Sequence, residues 1–173
     1  MNTEPILYIF SGLPGSGKST LAKNISKIIK SVYIRIDTIE QGIADLCNYN
    51  VQGEGYRLAY RIAGDNLKIG NSVAADSCNP WKLTREEWED VALKNNCKYI
   101  NIEIICSNQT EHKNRAENRE NEIANLKLPS WENIIAMRYD KWDEEHIIID
   151  TANRKIEDCV NELINKIEMQ DKL

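Results

Sequence analysis

Short apolar runs alternate along this chain with longer stretches in which apolar side chains recur at helical spacing. The runs Ile6–Ser11, Val32–Ile36, Ser72–Ala75, Tyr99–Cys106 and His146–Ile149 are rich in Ile, Val and Tyr, and most lack polar alternation. Strands buried on both faces have this composition. Between them lie helix candidates at Lys18–Lys30, Gly55–Lys68, Thr84–Asn95, Asn108–Leu126, Trp131–Trp142 and Arg154–Ile167. Thr84 and Glu87 have the spacing of a capping box, and Ser130 is placed to cap the helix that follows it. Ile156, Cys159, Val160, Leu163, Ile164 and Ile167 share one helical face, whereas Asn108–Leu126 is polar nearly all round. The alternation predicts an α/β fold with a mostly parallel sheet and helices on both faces. No repeat, low-complexity tract or linker interrupts it, so a single domain over 1–173 is expected.

The first strand runs directly into Gly12-Leu13-Pro14-Gly15-Ser16-Gly17-Lys18-Ser19-Thr20, a full match to G-x-x-x-x-G-K-[ST]. By average composition the pattern arises by chance in under ~1% of chains this long. Its glycines allow positive φ and close approach of a ligand, so that successive N–H groups form one anion-binding nest. The helix opening near Lys18 adds its positive dipole end. Lys18 would sit beside the outer phosphates of a bound nucleotide, and the Ser19 hydroxyl is the Mg²⁺ ligand of such loops.

Composition narrows the picture modestly. With 42% apolar and 28% charged residues the chain has ordinary globular proportions, and a net charge of −5 gives no sign of the basic face that a nucleic-acid partner requires. Five cysteines without a C-x-x-C pair, and two scattered histidines, point to neither a disulfide framework nor a zinc site. No segment has the length of a membrane span and the first apolar run lacks a basic flank, so a cytoplasmic protein is expected.

Among nucleotide-binding classes, the guanine-specific N-K-x-D is absent, since Asn165-Lys166-Ile167 is followed by Glu168. The one Asp-Glu pair, Asp143-Glu144, follows no strand, which leaves no evident residue to polarise water as a hydrolytic motor requires. Asp37, at the end of the second strand, would share a rim with the glycine loop, because ligands of open parallel sheets sit at the carboxyl ends of strands. A carboxylate there can take a proton from an attacking hydroxyl; capping a helix that begins at Thr38 is its alternative use. Asp76 follows the third strand, where it could support Mg²⁺ through water or serve a turn before Asn79-Pro80. Asp37, Glu40, Tyr56, Arg57, Tyr60, Arg61, Asn79 and Trp81 are the candidates for contacting an acceptor, with helix packing as the alternative for the tyrosines.

The glycine loop, Arg35-Ile36-Asp37, Asp76 and an arginine-bearing helix together resemble the small P-loop kinases, a group that includes gluconate kinase, chloramphenicol phosphotransferase, the kinase domain of polynucleotide kinase and zeta toxins. Further stretches, such as Ala75-Asp76-Ser77-Cys78-Asn79-Pro80 and Leu128-Pro129-Ser130-Trp131, are similar to bacterial AAA-family ATPase and kinase sequences. The resemblance implies a three-layer fold around five parallel strands in the order 2-3-1-4-5. It implies ATP with Mg²⁺ as cofactors and transfer of the γ-phosphate to a hydroxyl of a small molecule, with Asp37 as base or substrate anchor. It also implies a helical lid over roughly 108–130, on which Arg115 and Arg119 stand one turn apart and reach the same phosphates. Arg138 and the Asp150-Thr151-Ala152 stretch would approach the nucleotide. A regulatory ATP-hydrolysing module and a toxin-like or nucleic-acid kinase are the competing readings.

Overall fold

The computed structural model describes residues 4–171. Five strands, β1 (Ile6–Ser11), β2 (Val32–Arg35), β3 (Val73–Asp76), β4 (Lys98–Ile105) and β5 (Ile147–Asp150), form a parallel sheet in the order β2-β3-β1-β4-β5. β1 is central, with Leu7 opposite Val73 on one side and Tyr99 on the other. The helices are α1 (Lys18–Ile29), α2 (Ile36–Cys47), α3 (Glu54–Lys68), α4 (Lys82–Lys94), α5 (Gln109–Asn118), α6 (Trp131–Ile135) and α7 (Ile156–Asp171).

Period-two alternation of the strands builds two cores. Ile6, Tyr8 and Phe10 of β1 face α1 and α7, joining Leu21, Ile25, Cys159 and Leu163. Leu7 and Ile9 face the other way, into a layer with Ala59, Ala63 and Leu67 of α3 and Trp88 and Ala92 of α4. The sheet is therefore covered on both faces, as its unbroken apolar strands require. No helix of the described residues is long and apolar enough to cross a membrane.

Several elements differ from the sequence expectation. β2 stops at Arg35 and α2 starts at Ile36, so Asp37 lies in the first turn of a helix rather than on the strand end. Its N-cap is Arg35, without a side-chain cap, so Asp37 is not the capping residue. Thr84 lies inside α4, and its hydroxyl donates back to the Trp81 carbonyl at 2.8 Å, so the capping box with Glu87 does not form. Ser130 does cap α6, accepting from the Asn133 N–H. That helix ends at Ile135 instead of Trp142, because Tyr139 and Trp142 are drawn under the buried Arg85, whose guanidinium carbon lies 4.9 and 4.0 Å from their ring centroids. Arg85 also donates to the Asn79 and Asp140 carbonyls, fixing this non-helical strap against α4.

Candidate active site

The glycine loop closes over the carboxyl end of β1 with Gly12, Gly15 and Gly17 at φ 142°, 86° and 95°. A Cβ at Gly12 would lie 2.2 Å from the Ile104 carbonyl oxygen, so close approach to β4 and positive φ both demand glycine there. The loop is held from outside. The Gly12 N–H donates to the Cys78 carbonyl at 3.1 Å, His112 Nε2 donates to the Pro14 carbonyl at 2.9 Å, and Thr151 Oγ1 donates to the Ser16 carbonyl at 2.8 Å. Two loop carbonyls that could compete with the inward N–H groups, those of Pro14 and Ser16, are thus turned toward the protein, and the Gly12 N–H anchors the loop to the turn after β3. Gly17 is the N-cap of α1 in a left-handed conformation, which places the nest at that helix's positive end.

Lys18 opens α1 and is buried. Its Nζ lies 2.6 Å from Asp76 Oδ1 on the last residue of β3. The other oxygen of Asp76 accepts from the Tyr33 hydroxyl at 2.5 Å, and Ser19 adds a third side-chain hydrogen bond. Burial opposes the charge on both partners but is outweighed. Asp76, and then Asp37, hold Lys18 protonated above the usual lysine range, while Lys18, Tyr33 and Ser19 hold Asp76 ionised below the usual carboxylate range. Both directions describe one well-formed buried ion pair. Among the described residues, no three Asp, Glu, His or Cys side chains converge into a metal cage.

These groups form one wall of a cavity of about 780 Å³ that also takes in Arg35, Asp37, Arg115, Arg119 and Thr151. The structure therefore brings every singled-out loop residue except the buried Ser16 to one cavity, together with Asp37 and both arginines. Asp76 stands behind that surface, touching it through Lys18. Arg115 and Arg119 are not one turn apart on a continuous helix, as the lid pattern implied. α5 ends at Asn118 and Arg119 is extended, at φ −67° and ψ 140°. The two side chains separate in consequence. Arg115 donates to Thr151 Oγ1 and the Thr151 carbonyl at 2.8 and 3.0 Å and pairs with Glu111. Arg119 turns toward Asp37 and Arg35, and burial, partly offset by Asp37, lowers its pKa.

Of the acceptor candidates only Asp37 lines the cavity. Tyr60 packs edge-on against Trp88 at 4.6 Å, and Asn79 braces β1 by donating to the Phe10 carbonyl and Ser11 Oγ. Arg57, Arg61 and Trp81 are exposed. Arg138 pairs with Asp140 and does not reach the cavity. Sequence reading missed Tyr33 and His112. A tyrosine two residues before a strand-end arginine looks like ordinary strand composition, and the histidine lies 98 residues from the carbonyl it holds.

Comparison with known proteins agrees with this geometry. The AAA domain family model matches residues 7–139. The adenylyl-sulfate kinase of Prochlorococcus marinus is 26% identical over 175 residues, covering 95% of this chain and 84% of that protein. Among solved structures, the Mycobacterium tuberculosis APS kinase CysC in complex with AMPPNP and APS superposes with a TM-score of 0.72 at 17% identity, over 95% of this chain and 98% of that one. A gluconokinase from Sinorhizobium meliloti 1021 superposes with a TM-score of 0.69 at 14% identity, over 98% and 95%. With the glycine loop, the strand order and the Lys18–Asp76 pair all in place, the chain belongs to the AAA domain family, as one of its small P-loop kinases.

Proposed function

We propose that the chain transfers the γ-phosphate of ATP to a hydroxyl group of a small-molecule acceptor. The observation that carries this reading is that Asp37 and the phosphate loop line one cavity, close enough that Asp37, after Asp76, favours the charge on Lys18. The glycine nest and Lys18 would hold the outer phosphates. The acceptor hydroxyl oxygen attacks the γ-phosphorus, the bond to the bridging oxygen breaks, and ADP leaves with that electron pair. Asp37 receives the hydroxyl proton, and Arg119 supplies positive charge where the transferring group becomes more anionic. Arg115, locked onto Thr151, would lie nearer the nucleotide than the acceptor. The segment between α5 and α6 would serve as the lid of a single domain.

Ser19 and Asp76 fit a Mg²⁺ site. A hydroxyl on the first turn after the loop touches a carboxylate held ionised, the donor pair such ions use beside phosphate oxygens and water. Bound there, the ion would neutralise charge on the phosphates. Tyr33 and Lys18 keep Asp76 oriented and ionised whether or not it reaches the ion directly.

The test is ADP formation from Mg·ATP, with and without pooled hydroxyl-bearing metabolites, with Lys18→Ala as the blank. Turnover that rises about 100-fold or more with one pool is the expected result. Turnover indifferent to every pool would replace this reading with an ATP-hydrolysing module, and turnover that requires an oligonucleotide would replace it with a nucleic-acid kinase.

A further inference from the structure

The segment between α5 and α6 places a carboxylate in an unusual position. Glu122 Oε2 accepts from Lys23 Nζ at 2.5 Å and from Arg35 Nη1 at 2.8 Å. The two cations come from α1 and β2, 99 and 87 residues away in sequence, and all three side chains line the cavity beside Asp37. The Arg35 side chain is only 13% exposed, so its guanidinium is a fixed part of the wall, whereas Glu122 is 53% exposed. A guanidinium meets a carboxylate best through two parallel hydrogen bonds. Glu122 engages one. Arg35 Nε is buried without a hydrogen-bond partner among the described residues, with Asp37 and Asp76 each 3.9 Å away.

Charge accumulates on the same wall. Arg119 Nε is also buried without a partner among the described residues, and Arg35 and Arg119 oppose each other's charge. Facing these cations are Asp37, Asp76, Glu120 and Glu122. Asp76 is committed to Lys18 and Tyr33, Asp37 adjoins the reacting hydroxyl in the reading above, and Glu120 is exposed. Glu122 therefore occupies a two-cation seat that its own loop satisfies imperfectly.

We propose that Lys23 and Arg35 form an oxyanion subsite for a carboxylate, phosphate or sulfate group on the acceptor, and that Glu122 is its built-in occupant, displaced when such an acceptor binds. This rests on the kinase reading and adds to it the class of acceptor: a hydroxyl compound with an oxyanion close enough to reach Arg35 while its hydroxyl meets Asp37. Exchanging one anion for another keeps the cations paired. A neutral acceptor would have to leave Glu122 in place, which selects for charge. Glu122 itself is more than half exposed and returns to water when it leaves, and the incoming oxyanion takes over both cations, so the displacement costs little.

The experiment titrates ¹⁵N-labelled full-length protein with sodium sulfate at constant ionic strength. The Lys23 amide and the Arg35 Nε–H report on the subsite, and the Gly15 and Gly17 amides report separately on the phosphate loop. In Glu122→Gln the Lys23 and Arg35 signals should saturate at about 10-fold lower sulfate than in the natural chain. In Arg35→Gln the Lys23 response should vanish. If that variant fails to fold, as β1 and β4 amides would reveal, Lys23→Gln read at Arg35 Nε–H makes the same test. Equal sulfate dependence with and without Glu122, or a Lys23 response that survives Arg35→Gln, overturns the proposal. Silence at Gly15 and Gly17 beside an intact Lys23 response would instead count against the phosphate-loop reading and leave the subsite standing. In turnover assays, hydroxy acids should outperform their neutral amides, and the reverse preference would overturn the assigned class.

Discussion

The two walls of the cavity are built on different terms. On the phosphate-loop wall every functional group is gripped by others. Asp76 meets Lys18, Tyr33 and Ser19, and Thr151 binds the Ser16 carbonyl while receiving Arg115. On the acceptor side, Asp37 is 48% exposed, Arg119 and Arg35 each have an unsatisfied Nε among the described residues, and Glu122 pairs near solvent. Phosphates are the same in every cycle and reward a rigid nest. An acceptor must enter, be recognised and leave, which requires groups whose hydrogen bonds are not already spent. Substitutions on the first wall should thus cost stability, and those on the second should cost turnover with stability largely intact.

The largest test of that contrast is Asp76→Asn. It leaves Lys18 buried without its counter-charge, and breaking a buried pair in this way costs about 3–5 kcal/mol. Urea denaturation monitored by the tryptophans should show the loss. The pH dependence follows from the direction of the shift. Asp76 has a folded pKa below its unfolded value of 3.8, so its stabilisation is present above that value and disappears as pH falls through the lower, folded one. The gap between variant and natural chain should close on acidification. A gap that persists in strong acid would mean that the variant's defect is steric.

Asp37→Asn probes the other wall. Loss of the base should lower kcat about 10²–10⁴-fold while AMPPNP affinity changes little. Stability should fall by no more than about 1 kcal/mol, chiefly from the lost charge at the first turn of α2. If this variant destabilised as severely as Asp76→Asn, the contrast between the walls would fail. Thr151→Val falls between the two. It deletes the hydroxyl shared between the Ser16 carbonyl at 2.8 Å and the Ile105 carbonyl at 3.1 Å, and it removes one acceptor for Arg115, which keeps the backbone carbonyl. A cost of about 1–3 kcal/mol is expected. AMPPNP should bind more weakly as the loop loosens, and unchanged affinity would show that Thr151 supports the fold alone.

The phosphate-loop wall was the more legible of the two in sequence, for the same reason that it is rigid. Its centre, the loop from Gly12 to Ser19, is one contiguous stretch whose backbone conformation dictates glycine, and the strands around it announce themselves by unbroken apolar runs, whereas the groups that grip it from afar, Tyr33 and His112, carry no local signal. The acceptor wall is assembled from residues far apart in the chain, and nothing local at Lys23 or Glu122 records that they meet. The largest misreading, the lid helix, has the same origin. A stretch polar on all sides has no periodic face from which to read an end, and α5 stops where Arg119 leaves helical geometry to enter the cavity. α2 shows only its start because few of its residues are buried, and the early end of α6, whose start and Ser130 cap are legible, follows from Arg85 lying over two of the rings beyond it.

The smallest effect concerns Glu40, one turn along α2 from Asp37. Burial first, and then the charges of Asp37 and Glu54, raise its pKa above the usual 4.5. Gly55 of α3 lies directly against it, since a Cβ there would stand 2.1 Å from Glu40 Cγ. Because the folded pKa exceeds the unfolded one, the native state holds the proton more tightly. Stability therefore declines as pH climbs from the unfolded value to the folded one, and the deficit remains at neutral pH. Glu40→Gln removes the charge but keeps the shape. Its midpoint of denaturation should exceed that of the natural chain near pH 8 and lose that advantage near pH 4, where both side chains are uncharged in the native state. With the site partly open to solvent, the gain should be under about 1 kcal/mol. An advantage of equal size at both pH values would mean that packing against Gly55, and not charge, governs this position.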